Sequence, residues 1–412
     1  VAEHVSFAES SSASHPAARD AVLAAVDRLA PELVELSQSI FATPELGFQE
    51  HHAHRVLTDM LERHGVSVTR HAGGLETAFV AEVGTDGPVI GVCCEYDALP
   101  EIGHACGHNI IAAAGLGAGL AAGTVAERLG GRVRIIGTPA EEGGGGKILL
   151  QRAGLFDGLA AALMVHPADR ELTRMDVLAI HHVKVTYRGR AAHAAAAPEK
   201  GRNALDAAVL GYMNVAALRQ HIRPDERVHG IFTRAGDKPN IVPETAEALW
   251  YVRSPTLVGL DALRARVATC LEAGAAAAGC ELELEWYDPF YSDMVESATL
   301  LGVYAANAVA VGRALAEPTA TTRVVGSTDM GNVSHEVPSI HPMIKVAPDG
   351  VAIHTTEFAR HAASAAGDAA VLDGARIMAL TVADLWAQPE LVAAVDAEFR
   401  AATVPNPSVS GT

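Results

Sequence analysis

Residues 89 to 129 constrain this chain more than any other stretch. Val89-Ile90-Gly91-Val92-Cys93-Cys94 is a short, wholly apolar run, the pattern of a strand buried on both faces. It delivers the chain into Glu95-Tyr96-Asp97-Ala98-Leu99-Pro100-Glu101-Ile102-Gly103-His104-Ala105-Cys106-Gly107-His108-Asn109. A Gly/Ala-rich apolar helix, expected over about 109–129, carries it away. A polar cluster between a buried strand and a helix is where open α/β folds place their chemistry. Cys106 and His108 are metal-ligand types two residues apart, in a glycine-containing loop that can aim both inward. Alone, the pair also fits a buried structural cysteine beside an unrelated histidine.

The chain has 412 residues, 49% of them hydrophobic, which is enough for two or three domains with real cores. A formal net charge of −18 argues against nucleic acid and anionic membranes as partners. Five cysteines, with no Cys-x-x-Cys pair, suggest neither a disulfide framework nor a zinc ribbon. The first sixteen residues have no basic start and no apolar run, so no secretory signal is visible. A reducing, cytoplasmic location is expected, in which Cys106 stays a thiol.

Along the chain, apolar residues from Val22 to Ile40 fit a helix broken or kinked near Pro31. Short strands are expected near 66–70, 77–83, 89–94 and 132–137. The last of these ends in Thr138-Pro139-Ala140-Glu141-Glu142-Gly143-Gly144-Gly145-Gly146-Lys147. A phosphate loop is excluded, because Glu141 stands where a glycine is needed and Ile148 follows the lysine. Paired carboxylates at a strand end can divide two tasks, since adjacent residues face opposite ways: one holds a metal, its neighbour faces the water. Ala160 to Pro167 reads as another buried strand, with His166 at its carboxyl end. From about 178 the texture changes to β-α-β-β-α-β, the ferredoxin-like order, and after Pro289 the first texture resumes. The expected domains are a catalytic unit over 17–178 plus 295–401 and an inserted unit over 179–294, with loose tails at 1–16 and 402–412.

Cys106, His108, Glu142, His166 and His354 together form a five-ligand set suited to two metal ions, with Glu141 left over. Several further segments share the pattern: Gly189-Arg190-Ala191-Ala192-His193, Asn240-Ile241-Val242-Pro243, Arg253, Ser327 to Ser334, and His354-Thr355. On these motifs the chain, from about 18 to 390, resembles the co-catalytic zinc or manganese metallopeptidases that include aminoacylases, carboxypeptidase G and dipeptidases. It is most similar to the amidohydrolase branch with aminobenzoyl-glutamate hydrolases and related dipeptidases.

The resemblance implies an α/β fold: a mixed-sheet, zinc-peptidase-like catalytic domain with an inserted ferredoxin-like α+β lid, through which such proteins form homodimers. It implies two divalent ions per chain, zinc with manganese or cobalt as alternatives. Cys106, His108, Glu142, His166 and His354 would be the ligands, Asp97 a residue orienting them, and Glu141 the general base. His193, Asn240, Arg253 and Ser327 would meet the substrate, and His193 would act across the dimer. Two positions depart from the family pattern: Asn109 stands where many relatives have Asp, and Glu95 where other members carry a metal-binding His.

The chemistry explains the residue types. An amide carbonyl is a poor electrophile and neutral water a poor nucleophile; a divalent ion polarises the one and lowers the pKa of the other. A carboxylate such as Glu141 can take the water's proton and return one to the leaving amine. His193 can donate to the oxyanion. Arg253 offers a planar fork for a substrate carboxylate. The expected substrate is therefore an N-acyl amino acid, an aminobenzoyl-glutamate-like amide or a dipeptide, with a free carboxylate. Two other readings stand beside this one. A cysteine hydrolase would use Cys106 with His104 or His108 as base, and a non-catalytic relative would only bind the ligand.

Overall fold

The computed structural model describes residues 15–403. Most of the two expected tails lies outside that range. Inside it, Pro16 opens the first helix and Thr403 closes the last, Pro389–Thr403. The chain divides into two units: one takes the residues up to Asp176, Met294–Val325 and the residues from Asn332 on, the other Val177–Asp293 and Gly326–Gly331.

The first unit is built on a six-stranded mixed sheet in the order Val68–Arg70, Phe79–Val83, Arg132–Thr138, Val89–Glu95, Leu159–Leu163, Ser339–Ile340. The first two pairings are antiparallel and the other three parallel. Every residue of Val89–Glu95 is buried, as a central strand covered on both faces requires. Its two parallel neighbours bring three carboxyl ends to one edge of the sheet, and the chain leaves that edge into Asp97, the Glu141-Glu142 turn and His166.

The Gly/Ala helix is His108–Gly123, buried along nearly its whole length, and a separate turn of helix follows at Ala126–Leu129. Small residues let it lie close to the sheet: a Cβ on Gly119 would come within 2.3 Å of Ile135. Helices Pro16–Ala42 and Ala365–Ala387 pack beside it, and the three share one apolar core. The first helix runs unbroken through Pro31, so of the expected break or kink the break does not occur. Its buried face, Val26, Leu29, Leu33 and Leu36, continues across the proline, so packing outweighs the missing backbone bond.

The strand expected over Ala160 to Pro167 is divided, and the strand paired with it is divided in the same way. Leu159–Leu163 and His166–Ala168 are separate, as are Ser339–Ile340 and Met343–Lys345, and the two short second pieces pair with each other. His166 therefore opens a strand instead of closing one, and its N–H donates to the carbonyl of Pro342 at 2.9 Å.

The second unit is a four-stranded antiparallel sheet in the order Glu281–Trp286, Ala179–Arg188, Thr245–Ser254, Arg227–Arg234. Numbered along the chain this is 4-1-3-2, the ferredoxin-like arrangement. Alternate residues Val183, Val185, Tyr187, Ala248 and Trp250 form one core with Leu260, Leu263, Val267 and Leu271 of helix Leu257–Ala278. Asn203 and Thr256 cap its two long helices by accepting backbone N–H bonds. Among the described residues of the chain, no helix is long and apolar enough to cross a membrane.

Candidate metal centre

Asp97 organises the edge of the first sheet. Its Oδ1 accepts from His108 Nδ1 and its Oδ2 from the backbone N–H of Glu142, both at 2.9 Å. Burial works against its charge, but His108 and the Glu142 N–H outweigh that and hold the carboxyl below its usual range. Burial opposes charge on His108, but Cys106 and Asp97 outweigh it and hold the imidazole above its usual range. With Nδ1 held on Asp97, Nε2 is the atom that would give up a proton to bind a metal. That atom is fully buried and has no hydrogen-bond partner.

Around His108 Nε2 lie Glu95 Oε2 at 3.5 Å, Glu142 Oε1 at 3.9 Å and Glu141 Oε2 at 4.0 Å. The two glutamates lie beyond the end of strand Arg132–Thr138, so they do not face opposite ways as adjacent strand residues would. They sit in a turn after Ala140, a non-glycine residue at φ 57°, and both carboxylates approach the same imidazole. Glu50 anchors this turn: its Oε1 accepts from the Ala140 N–H at 2.8 Å and its Oε2 from the Thr77 hydroxyl at 2.7 Å.

The remaining donors stand next to these. Gly107, at φ 80°, makes the bend between Cys106 and His108 that a side chain would strain. Cys106 Sγ is 3.3 Å from His166 Nε2, and His166 Nδ1 donates to the Pro167 carbonyl, which fixes the tautomer. Burial pushes His166 down to about 4, so its ring is neutral and able to coordinate at pH 7. The backbone N–H of His354 donates to the Ala105 carbonyl, and its exposed ring places Nε2 3.3 Å from Glu142 Oε1. Burial, with Glu142 adding to it, pushes the Cys106 thiol up, so coordination would have to displace a proton.

These residues fit a bound metal. Ligand atoms of Cys106, His108 and His166 lie within 4.8 Å of one another, as do those of Cys106, Glu142 and His354, and of His108, Glu141 and Glu142. Two ligands on one zinc ion, at about 2.0–2.3 Å and a tetrahedral angle, are roughly 3.3–3.6 Å apart, which is the spacing of Cys106 with His166 and of His354 with Glu142. Buried Glu142 Oε1 also has no hydrogen-bond partner, as expected of an oxygen committed to a cation.

The other sequence candidates lie in the second unit. His193 Nδ1 accepts from the backbone N–H groups of Ala195 and Ala196, at 3.2 and 3.1 Å. The neutral ring therefore carries its proton on the exposed Nε2, the form that donates to an oxyanion. The carbonyl of Asn240 accepts from Ala194 N–H, which ties its loop to that of His193. Arg253 Nη1 reaches Ser327 Oγ at 3.5 Å, and the buried Arg253 Nε has no partner.

Three residues escaped sequence reasoning. Glu50 gave no signal beyond a charge before a helix. Lys147 is completely buried, with Nζ 2.5 Å from Glu95 Oε1. His341 is buried beside His166, ring centroids 5.2 Å apart, with neither nitrogen hydrogen-bonded; its place inside the apolar run Ile340-His341-Pro342-Met343 was the available cue. Asn109 is explained by its partners: its amide donates to Ser37 Oγ and the Ala362 carbonyl, and an ionised Asp could do neither.

Buried imidazole, thiol and carboxylate donors at the carboxyl edge of a mixed sheet, beside one further carboxylate, define a metallohydrolase. Residues 93–384 match peptidase family M20/M25/M40. The chain is 39% identical over 391 residues to the Xaa-Arg dipeptidase of Mus musculus, spanning 91% of this chain and 90% of that one. It is 35% identical over 287 residues to a subunit of the p-aminobenzoyl-glutamate hydrolase of Escherichia coli, 65% of this chain and 60% of that one. A solved Bacillus subtilis structure, described as a dinuclear metal-binding M20 peptidase, superposes with a TM-score of 0.69 at 19% identity, covering 87% of this chain and 98% of that one. The chain belongs to peptidase family M20/M25/M40. It is a metal-dependent hydrolase of amide or peptide bonds.

Proposed function

We propose that this chain is a dipeptidase holding two divalent ions, zinc by preference, and cleaving dipeptides whose carboxyl-terminal residue is basic. The observation that carries the metal assignment is the set of buried, unpartnered donor atoms around His108 Nε2. Cys106, His108, Glu142, His166 and His354 would hold the ions, thiolate and imidazole favouring zinc over manganese or cobalt. Identity to an Xaa-Arg dipeptidase across nine-tenths of both chains supports the dipeptide class. The net charge of −18 supports a cationic substrate, because it attracts one over the whole surface. N-acyl amino acids and aminobenzoyl-glutamate-like amides are the second class to test.

Bound divalent ions supply Lewis acidity at the carbonyl and at water. Glu141 takes a proton from the attacking water as its oxygen bonds to the carbonyl carbon, then delivers it to the nitrogen as the C–N bond breaks. Asp97 keeps His108 in the tautomer that leaves Nε2 unprotonated. Arg253, Asn240 and Ser327 are assigned to the substrate carboxylate, and His193, through Nε2–H, to the oxyanion across a homodimer formed by the second unit. A cysteine-nucleophile reading fares worse. His104 Nε2 donates to the Ile40 carbonyl, and burial raises the Cys106 thiol instead of activating it. The chain is assigned to a reducing, cytoplasmic compartment, in which Cys106 stays a thiol able to take a metal.

The deciding experiment offers Xaa-Arg, Xaa-Lys and Xaa-Ala dipeptides, N-acetyl amino acids and aminobenzoyl-glutamate to protein reloaded with zinc, manganese or cobalt. Basic dipeptides should have the highest kcat/KM. Preference for N-acyl substrates would overturn the substrate assignment alone.

A further inference from the structure

We infer that Glu95 is a sixth protein ligand, offering Oε2 to the ion that His108 binds, while Lys147 occupies its other oxygen. The inference rests on the metallohydrolase reading above and extends its ligand set. Glu95 ends the central strand, and its side chain is completely buried. Oε1 accepts from Lys147 Nζ at 2.5 Å. Oε2 is buried with no hydrogen-bond partner and points to His108 Nε2, 3.5 Å away.

That distance is too long for a good hydrogen bond, and a buried carboxylate oxygen left without one is costly. Asp97 holds Nδ1, so Nε2 is the ring atom left to face Glu95 Oε2. A cation bound by both atoms gives each a partner. The separation also suits it, since oxygen and nitrogen ligands of one tetrahedral ion lie about 3.4 Å apart.

Lys147 gives the carboxylate its distinctive property. Burial raises the cost of charge on Glu95, and the ammonium offsets it without a metal. With one oxygen on Lys147, Glu95 can bind an ion through the other alone. The ammonium also draws electron density from the carboxylate, so Glu95 is a weaker donor than it would be unpaired. The two residues therefore act on metal affinity with opposite signs, which an ion pair serving stability alone would not do.

The test uses the full chain as wild type, Glu95→Gln, Lys147→Met and the double variant. Zinc is titrated against a chromogenic chelator, the metal content is determined by elemental analysis, and visible spectra are taken of the cobalt-loaded proteins. Glu95→Gln should weaken one ion by about 10- to 100-fold and shift the cobalt bands. Lys147→Met should tighten the same ion, and the double variant should bind like Glu95→Gln. Wild-type affinity and an unshifted spectrum in folded Glu95→Gln would overturn the inference while leaving the metallohydrolase reading intact. If either single variant fails to fold, the double variant, which removes the pair together, decides on the same criterion. A wild-type protein that binds no zinc would overturn both.

Discussion

Replacing Asp97 with asparagine removes one acceptor and one charge from the point where two donors converge. Asp97 accepts from His108 Nδ1 and from the Glu142 N–H, one oxygen for each, both at 2.9 Å in a fully buried site. An amide has a single oxygen, so the substituted side chain can satisfy only one of them as they stand. If the oxygen keeps the Glu142 N–H, the amide nitrogen faces His108 Nδ1. The imidazole must then move its proton to Nε2, where it blocks the lone pair meant for the metal. If the oxygen keeps His108 instead, the Glu142 N–H confronts another donor and the glutamate turn loosens, at a cost of about 1–3 kcal/mol. Either arrangement should weaken zinc by about 10- to 100-fold, the usual effect of losing a residue that orients a ligand. Competitive zinc titration measures the affinity, and thermal unfolding of the metal-free protein separates it from a loss of stability. Unchanged zinc affinity in folded Asp97→Asn would refute the argument that this carboxylate sets the His108 tautomer.

Three other outcomes follow from the same structure. Dipeptides with an amidated carboxyl terminus should lose roughly 2–5 kcal/mol in kcat/KM, because the Arg253 guanidinium would be left unpaired; equal rates on acid and amide would remove Arg253 from the carboxylate site. Glu50, pushed by burial from 4.5 up to about 7, binds its proton more tightly folded than unfolded, so it withdraws stability as pH rises through that window. Wild type should therefore lose roughly 3 kcal/mol relative to Glu50→Gln between pH 4.5 and pH 7, and chemical unfolding curves showing no such divergence would contradict the burial argument. Glu141→Ala and His193→Ala, each inactive, should recover about a quarter of wild-type activity per site when unfolded and refolded together. No recovery, with mixed dimers shown by differential tags, would mean that His193 acts within its own subunit.

The clusters at Asp97, Cys106, His108, Glu141, Glu142 and His166 were legible because each follows a short apolar run that could only be a buried strand. Parallel pairing of Val89–Glu95 with both neighbours then brings their carboxyl ends together. The strand order of the four-stranded sheet was legible from its alternation and element order. Lys147 was not, because a lysine after four glycines reads as a solvated loop charge. It is buried against Glu95, a partner 52 positions away that no local signal reports. The glutamate turn was misread for a similar reason. The bend at Ala140 is held by Glu50, 90 positions away, and no local signal reports that bond. Pro31 misled in the opposite direction, since local chemistry favoured a break that the shared core of three helices overrides.

The most direct test of the central claim measures metal content and turnover together in Glu141→Gln and Glu142→Gln. Both carboxylates approach His108 Nε2, at 4.0 and 3.9 Å, yet they are assigned different work. Glu141→Gln should retain about two ions per chain and lose turnover by on the order of 10²-fold or more. Glu142→Gln should lose metal along with activity. Hydrolysis at the wild-type rate by either variant, or by wild-type protein shown by elemental analysis to be metal-free, would contradict the account.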